Sequence, residues 1–67
     1  MPKESHNKAA EAHESAAKSH RTAAEHHGKG DHDTGHKHST KAYEDSQTAH
    51  KRSTEAHTKS GQHKSKT

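Results

Sequence analysis

Imidazole side chains recur at seven-residue spacing in two runs along this 67-residue chain. The residues at this spacing are His6, His13, His20 and His27, then His36, His50 and His57, with Tyr43 in the missing place. Neutral imidazole is the commonest metal-binding side chain, it suits Zn, Ni and Cu, and its charge changes between pH 5 and 8. The spacing therefore predicts metal binding or a response to pH.

A denser group of possible ligands lies in the middle of the chain, where two aspartates accompany five histidines. These residues are His26, His27, His32, His36 and His38, with Asp31 and Asp33. His32 and His36 stand four residues apart, so in a helix both project from one side and can share an ion. We expect three or four ligands to converge here on Zn(II), Ni(II) or Cu(II), and the affinity order favours copper.

The elements that must position these histidines are two helices, because a seven-residue period follows one stripe of an α-helix. Small residues form a second stripe with alternating steps of three and four, which is typical of a coiled-coil seam. The stripe consists of Ser5, Ala9, Ala12, Ala16, Ser19, Ala23, His26 and Gly30, then Gly35, Ser39, Ala42, Ser46, Ala49, Ser53, Ala56 and Ser60. We predict an all-α, antiparallel two-helix hairpin of the alanine coiled-coil type, able to pair into a four-helix bundle.

The hairpin is expected to be a single domain over residues 1–67. We place helix 1 at about 4–27, the turn at about 28–31, helix 2 at about 32–60 and a flexible tail at 61–67. Gly28 and Gly30 suit a helix C-terminus, and Asp31 or Asp33 can cap the second helix by accepting its free N–H groups.

One register aligns both stripes at once and puts the turn on the glycine-rich segment. It faces Ala9 with Ala56 and Ala23 with Ala42. The histidines then flank the seam as a ladder of cross-helix pairs: His6 with His57, His13 with His50, His20 with Tyr43, and His27 with His36. Each pair of imidazoles would need water, a carboxylate or a second hairpin to complete a metal shell.

The composition makes the fold marginal. Leu, Ile, Val, Phe, Trp and Cys are absent, and ten Ala supply nearly all the apolar surface. Each buried Ala side chain returns only about 1 kcal/mol, so a metal, a second copy or a partner is expected to complete the fold. The alternatives are a disordered chain with nascent helix and an intermolecular coil of longer helices.

Other properties narrow the function. No run of 18 apolar residues or signal-peptide core exists, so we expect a cytoplasmic protein without a membrane partner. We expect no enzyme, because two alanine-lined helices provide no walled pocket for a general base. Nucleic-acid binding is a weaker alternative: the pI is near 9.3, but acidic residues are interleaved and only one aromatic residue could stack on bases.

Three short motifs carry a resemblance to known proteins. The strings Ala23-Ala24-Glu25-His26-His27 and Gly30-Asp31-His32, and the repeated Ala-His-x-x-Ser at 49–53 and 56–60, resemble short His- and Ala-rich bacterial proteins that are largely uncharacterised. The resemblance implies a bacterial origin and a helical hairpin, and brings no activity with it. This chain has fewer double histidines than the densest members, which argues against a high-capacity metal store.

The function predicted from these features is binding of divalent transition metal ions for buffering or sequestration. One alternative is a hydrophilic stress-protective or pH-responsive helical protein, since protonation of all eleven histidines would raise the formal charge from +3 to +14. In a further alternative the histidines are merely tolerated on the flank of a repeat and were copied with it.

Overall fold

The chain folds as two long helices packed against each other. The computed structural model describes the backbone of residues 2–65 and the side chains of residues 2–62. Helix α1 spans Pro2–Gly28 and helix α2 spans His32–Ser65, and they run antiparallel in a hairpin about 54 Å long. The predicted all-α two-helix hairpin is confirmed.

Both helices extend beyond their predicted outer ends. α1 begins at Pro2, where proline fits a first helical turn because its fixed φ is helical and its missing N–H needs no partner. α2 continues to Ser65, past the predicted end near residue 60. Gly61 alone costs only about 1 kcal/mol relative to alanine, too little to end the helix. The predicted tail at 61–67 is therefore helical as far as Ser65, and residues 66–67 lie outside the described part.

Alanines form the core at seven-residue intervals in both helices. The buried alanines are Ala9, Ala16 and Ala23 in α1 and Ala42, Ala49 and Ala56 in α2. The three in α2 have no exposed surface, whereas those in α1 are 6–7% exposed. The predicted seam is confirmed at these positions, because a methyl group is small enough to lie between two closely packed helices.

The seam departs from the prediction near its ends. Gly30, Ser39 and Ser60 are exposed, and His38 is half-buried in the layer where Ser39 was expected. The ring of His38 stacks on His26, so a large planar side chain fills that layer in place of a hydroxymethyl group.

Polar groups inside the seam have partners. Ser19 is buried, and its hydroxyl donates a hydrogen bond of 2.8 Å to Asp45 Oδ2 across the interface. Within residues 2–62, no buried side-chain nitrogen or oxygen lacks a hydrogen bond. Neither α1 nor α2, over the residues described, contains a segment apolar and long enough to span a lipid bilayer.

Candidate metal-binding turn

The turn between the helices is closed by backbone hydrogen bonds around a left-handed glycine. Gly30 has φ of +82°. Its N–H donates to the His27 carbonyl at 3.0 Å, and the N–H of Asp31 donates to the His26 carbonyl at 2.8 Å. These two bonds form a Schellman motif, which satisfies carbonyls that the end of a helix leaves without partners. The turn therefore sets His26 and His27 in a defined position at the end of α1.

Asp31 caps the start of α2, which decides between the two predicted caps. Its Oδ1 accepts a hydrogen bond of 3.3 Å from the N–H of Thr34, three residues ahead. This backbone hydrogen bond is the main cause that lowers the pKa of Asp31 below its usual value. The other carboxylate oxygen lies 3.6 Å from His26 Nδ1, so Asp31 links the cap to a histidine of α1.

His27 and His32 meet across the turn. Their Nδ1 atoms are 2.9 Å apart, and their ring centroids are 5.2 Å apart with a tilt of 37°. Both residues are exposed. A contact between two Nδ1 atoms at this distance is an N–H···N hydrogen bond, so one imidazole donates and the other accepts through its lone pair.

Gly35 makes room for the ring of His27. A Cβ atom built on Gly35 would lie 2.8 Å from His27 Cδ2 and 2.9 Å from Nε2, closer than real side-chain atoms approach. Gly35 is itself buried, because the imidazole of His27 covers it. The small-residue pattern predicts a seam position for this glycine and does not indicate its contact with a candidate ligand.

A second pair of histidines lies beside the first. The rings of His26 and His38 stack with centroids 5.0 Å apart and only 4° between their planes. Both residues are half-buried. The two ring faces lie against each other. Nδ1 of His26 lies near the carboxylate of Asp31.

The expected convergence of three or four ligands at the turn is not found within the described residues. No group of three or more His, Asp or Glu in that part of the chain is placed to hold a metal ion. The ring of His36 makes no hydrogen bond or ring contact there, although His36 was expected to join His32 and His27. The histidines instead meet in pairs, because the Schellman turn brings His27 to His32 and His26 to His38.

The predicted ladder of cross-helix histidine pairs is also absent in residues 2–62. Nε2 of His13 forms a hydrogen bond of 2.6 Å with Ser53 Oγ, and Nε2 of His20 forms one of 3.0 Å with Ser46 Oγ. Each serine lies three residues beyond the expected partner. The other ladder histidines, His6, His50 and His57, are exposed, and their rings make no hydrogen bond or ring contact in this part of the chain.

The shift of one turn has a geometric cause. Side chains of an α-helix lean toward its N-terminus. In an antiparallel pair the two rows therefore lean in opposite directions, so histidines that are level at Cα point away from each other. His13 and His20 each reach a serine one turn toward the C-terminus of α2. This lean was a signal in the sequence that could have identified Ser46 and Ser53.

Comparison of the chain with known protein families, curated proteins and solved structures finds no match. The resemblance to short His- and Ala-rich bacterial proteins therefore stays a prediction.

Proposed function

We propose that this hairpin binds a divalent transition metal ion at the turn, through Nδ1 of His27 and Nδ1 of His32. The observation that supports this most is the 2.9 Å separation of the two nitrogens. A bound ion would take the place of this hydrogen bond: the donor imidazole would carry its proton on Nε2 instead, which leaves the lone pairs of both Nδ1 atoms to the ion. Water or a second hairpin would supply the remaining ligands.

The nitrogen separation favours particular metals. With metal–nitrogen bonds of about 2.0 Å, two neighbouring ligands at a right angle are about 2.8 Å apart, whereas tetrahedral ligands are about 3.3 Å apart. The observed separation of 2.9 Å is nearer the first value. Right angles between ligands are typical of Cu(II) and Ni(II), and tetrahedral angles are typical of Zn(II). We therefore expect Cu(II) and Ni(II) to bind more tightly than Zn(II).

A two-imidazole site supports buffering or sequestration. Both histidines are exposed, and coordination positions filled by water exchange readily. If a second hairpin supplies its own pair, the shell contains four imidazoles and the chain dimerises when metal is added. Sedimentation with and without Cu(II) would distinguish these two stoichiometries.

Calorimetric titration of the full chain with Cu(II), Ni(II) and Zn(II) at about pH 7 tests the site. Chelation requires both imidazoles, so His27→Ala or His32→Ala should each weaken the tightest site by about a hundredfold. The matched control is His50→Ala, which removes an exposed imidazole of α2 that makes no hydrogen bond or ring contact in the described part. Equal losses from His27→Ala and His50→Ala would show that binding is spread over all histidines and would refute the site.

A second variant tests the position of the ring while keeping both ligands. Gly35→Ala introduces a Cβ that collides with the His27 imidazole, so metal affinity should fall although alanine favours the helix by about 1 kcal/mol. Gly61→Ala is the control, because a Cβ there meets nothing within 4 Å. Unchanged Cu(II) affinity in Gly35→Ala would mean that binding does not depend on the position of the His27 ring over Gly35.

A response to pH is a second candidate, favoured by the same contact. When both imidazoles are protonated, both Nδ1 atoms carry a hydrogen and the His27–His32 hydrogen bond cannot form. Protonation of both rings should therefore lower the thermal stability of the metal-free hairpin in acid. His32→Ala should flatten this dependence more than His50→Ala does, and equal pH profiles for both variants would exclude this pair as the switch.

A further inference from the structure

A groove between the helices includes neither His27 nor His32 in its lining. It has a volume of about 360 Å³ and is lined by Ser15, Lys18, Ser19 and Thr22 of α1 and His38 and Lys41 of α2. The lining contains two ammonium groups, an imidazole and three hydroxyls, and it includes no carboxylate. Such a set of donors suits a negatively charged ligand.

Two residues that line the groove already bind a carboxylate of the protein, that of Asp45. Nζ of Lys41 lies 2.9 Å from Asp45 Oδ2, and the hydroxyl of Ser19 donates to the same oxygen at 2.8 Å. These two hydrogen bonds hold the pKa of Asp45 below its usual value, with the bond from Lys41 as the largest cause. Lys41 and Ser19 are therefore arranged to stabilise negative charge at this point of the groove.

Asp45 forms its ion pair with Lys41, so the positive charge of Lys18 is not compensated. Within residues 2–62, Lys18 Nζ forms no ion pair and the hydroxyl of Ser15 forms no hydrogen bond. The hydroxyl of Thr22 donates to the carbonyl of Lys18, so its proton is not available to a ligand. The available donors are the ammonium of Lys18, the hydroxyl of Ser15, the ring edge of His38 and the remaining N–H groups of Lys41.

We propose that this groove binds a phosphate group between Lys18 and Lys41, as inorganic phosphate or as the phosphate of a small monoester. A phosphate carries a charge near −2 and several strong acceptor oxygens. The groove offers it the unpaired ammonium of Lys18, the hydroxyl of Ser15 and those N–H groups of Lys41 that Asp45 does not use. The volume leaves space beside the phosphate for a small organic group. The site shares no residue with the metal pair and does not depend on the proposed metal function.

Amide NMR of the metal-free chain with added inorganic phosphate, at ionic strength held constant with chloride, tests the proposal. Shift changes should be confined to residues near 15–22 and 38–45. Lys18→Gln should weaken phosphate binding by about fivefold, the effect of one exposed charged hydrogen bond. Lys8→Gln is the matched control, since Lys8 is also an exposed lysine of α1 and lies outside the groove.

Two further measurements make the result decisive. Glycerol phosphate in place of inorganic phosphate identifies the source: tighter binding supports a monoester, and equal binding supports recognition of phosphate alone. Circular dichroism of Lys18→Gln checks that the helices persist. Equal weakening by Lys8→Gln and Lys18→Gln, or shift changes that follow every lysine, would show general charge attraction and overturn the proposal.

Discussion

Histidines at the same heptad position have different partners in the middle of the hairpin and at its turn. In the middle, His13 and His20 bind serines of the opposite helix. At the turn, His27 meets His32 and lies over Gly35. The side-chain chemistry is the same in both regions, so the difference comes from what the backbone places within reach.

This comparison shows why heptad spacing alone does not produce a metal site. Along the straight part of the helices, opposite lean separates imidazoles that are level at Cα. At the turn, the chain reverses within a few residues, and a left-handed glycine brings two neighbouring segments together. A tight connection can therefore join two ligands that parallel rows of side chains keep apart.

The largest expected effect comes from breaking the middle of the hairpin. Ala49→Asp buries an unpaired carboxylate at a position with no exposed surface, which should cost about 3–5 kcal/mol and unfold a marginal hairpin. Thr48→Asp places the same charge on the neighbouring exposed position and should leave the helices intact. Far-ultraviolet circular dichroism measures both, and full helicity in Ala49→Asp would contradict the alanine seam.

The next largest effect comes from breaking the turn while leaving the seam unchanged. Gly30→Ala forces alanine into a left-handed conformation and should destabilise the hairpin by about 1–2 kcal/mol. Gly28→Ala is the control: Gly28 belongs to α1, and a Cβ there meets nothing within 4 Å. In thermal unfolding, the melting temperature of Gly28→Ala should equal or exceed that of the natural chain, and that of Gly30→Ala should be lower. The reverse order would mean that the turn does not need its left-handed residue.

A smaller effect separates the two kinds of histidine directly. His13→Ala removes one exposed hydrogen bond to Ser53 and should cost about 0.5–1 kcal/mol, with Cu(II) affinity unchanged. Ser53→Ala should cost a similar amount, and the double variant should cost no more than either. Additive losses in chemical denaturation would show that the two side chains do not interact.

The smallest effect is a pH dependence in the acid range. The lowered pKa of Asp45 means that its carboxylate stabilises the fold above its ordinary titration near pH 4, and this contribution is lost as the pH falls through the lowered value. Asp45→Asn should therefore flatten the fall in melting temperature between about pH 4.5 and 2.5. Asp33→Asn, at an exposed position in the first turn of α2, is the control, and an equally flattened profile there would remove Asp45 as the cause.

Much of the fold could be read from local patterns. Seven-residue spacing identified the six buried alanines, and the pair Gly28 and Gly30 located the turn. The ends of the helices were less predictable, because Pro2 is compatible with a helix start and Gly61 is too weak a breaker to end α2. The candidate site was only partly predictable: His27 and His32 were both identified, but their direct contact and the place of Gly35 were not.

The sequence by itself determined that two helices form and which stripe of each is small enough to pack, because periodicity and side-chain volume are local properties. Only the tertiary structure decided which histidines meet. The 2.9 Å between Nδ1 of His27 and Nδ1 of His32 depends on the direction in which the two side chains lean and on the φ of Gly30. Residue spacing gives the positions of Cα atoms along a helix, whereas the distance between ligand nitrogens depends on where the side chains end.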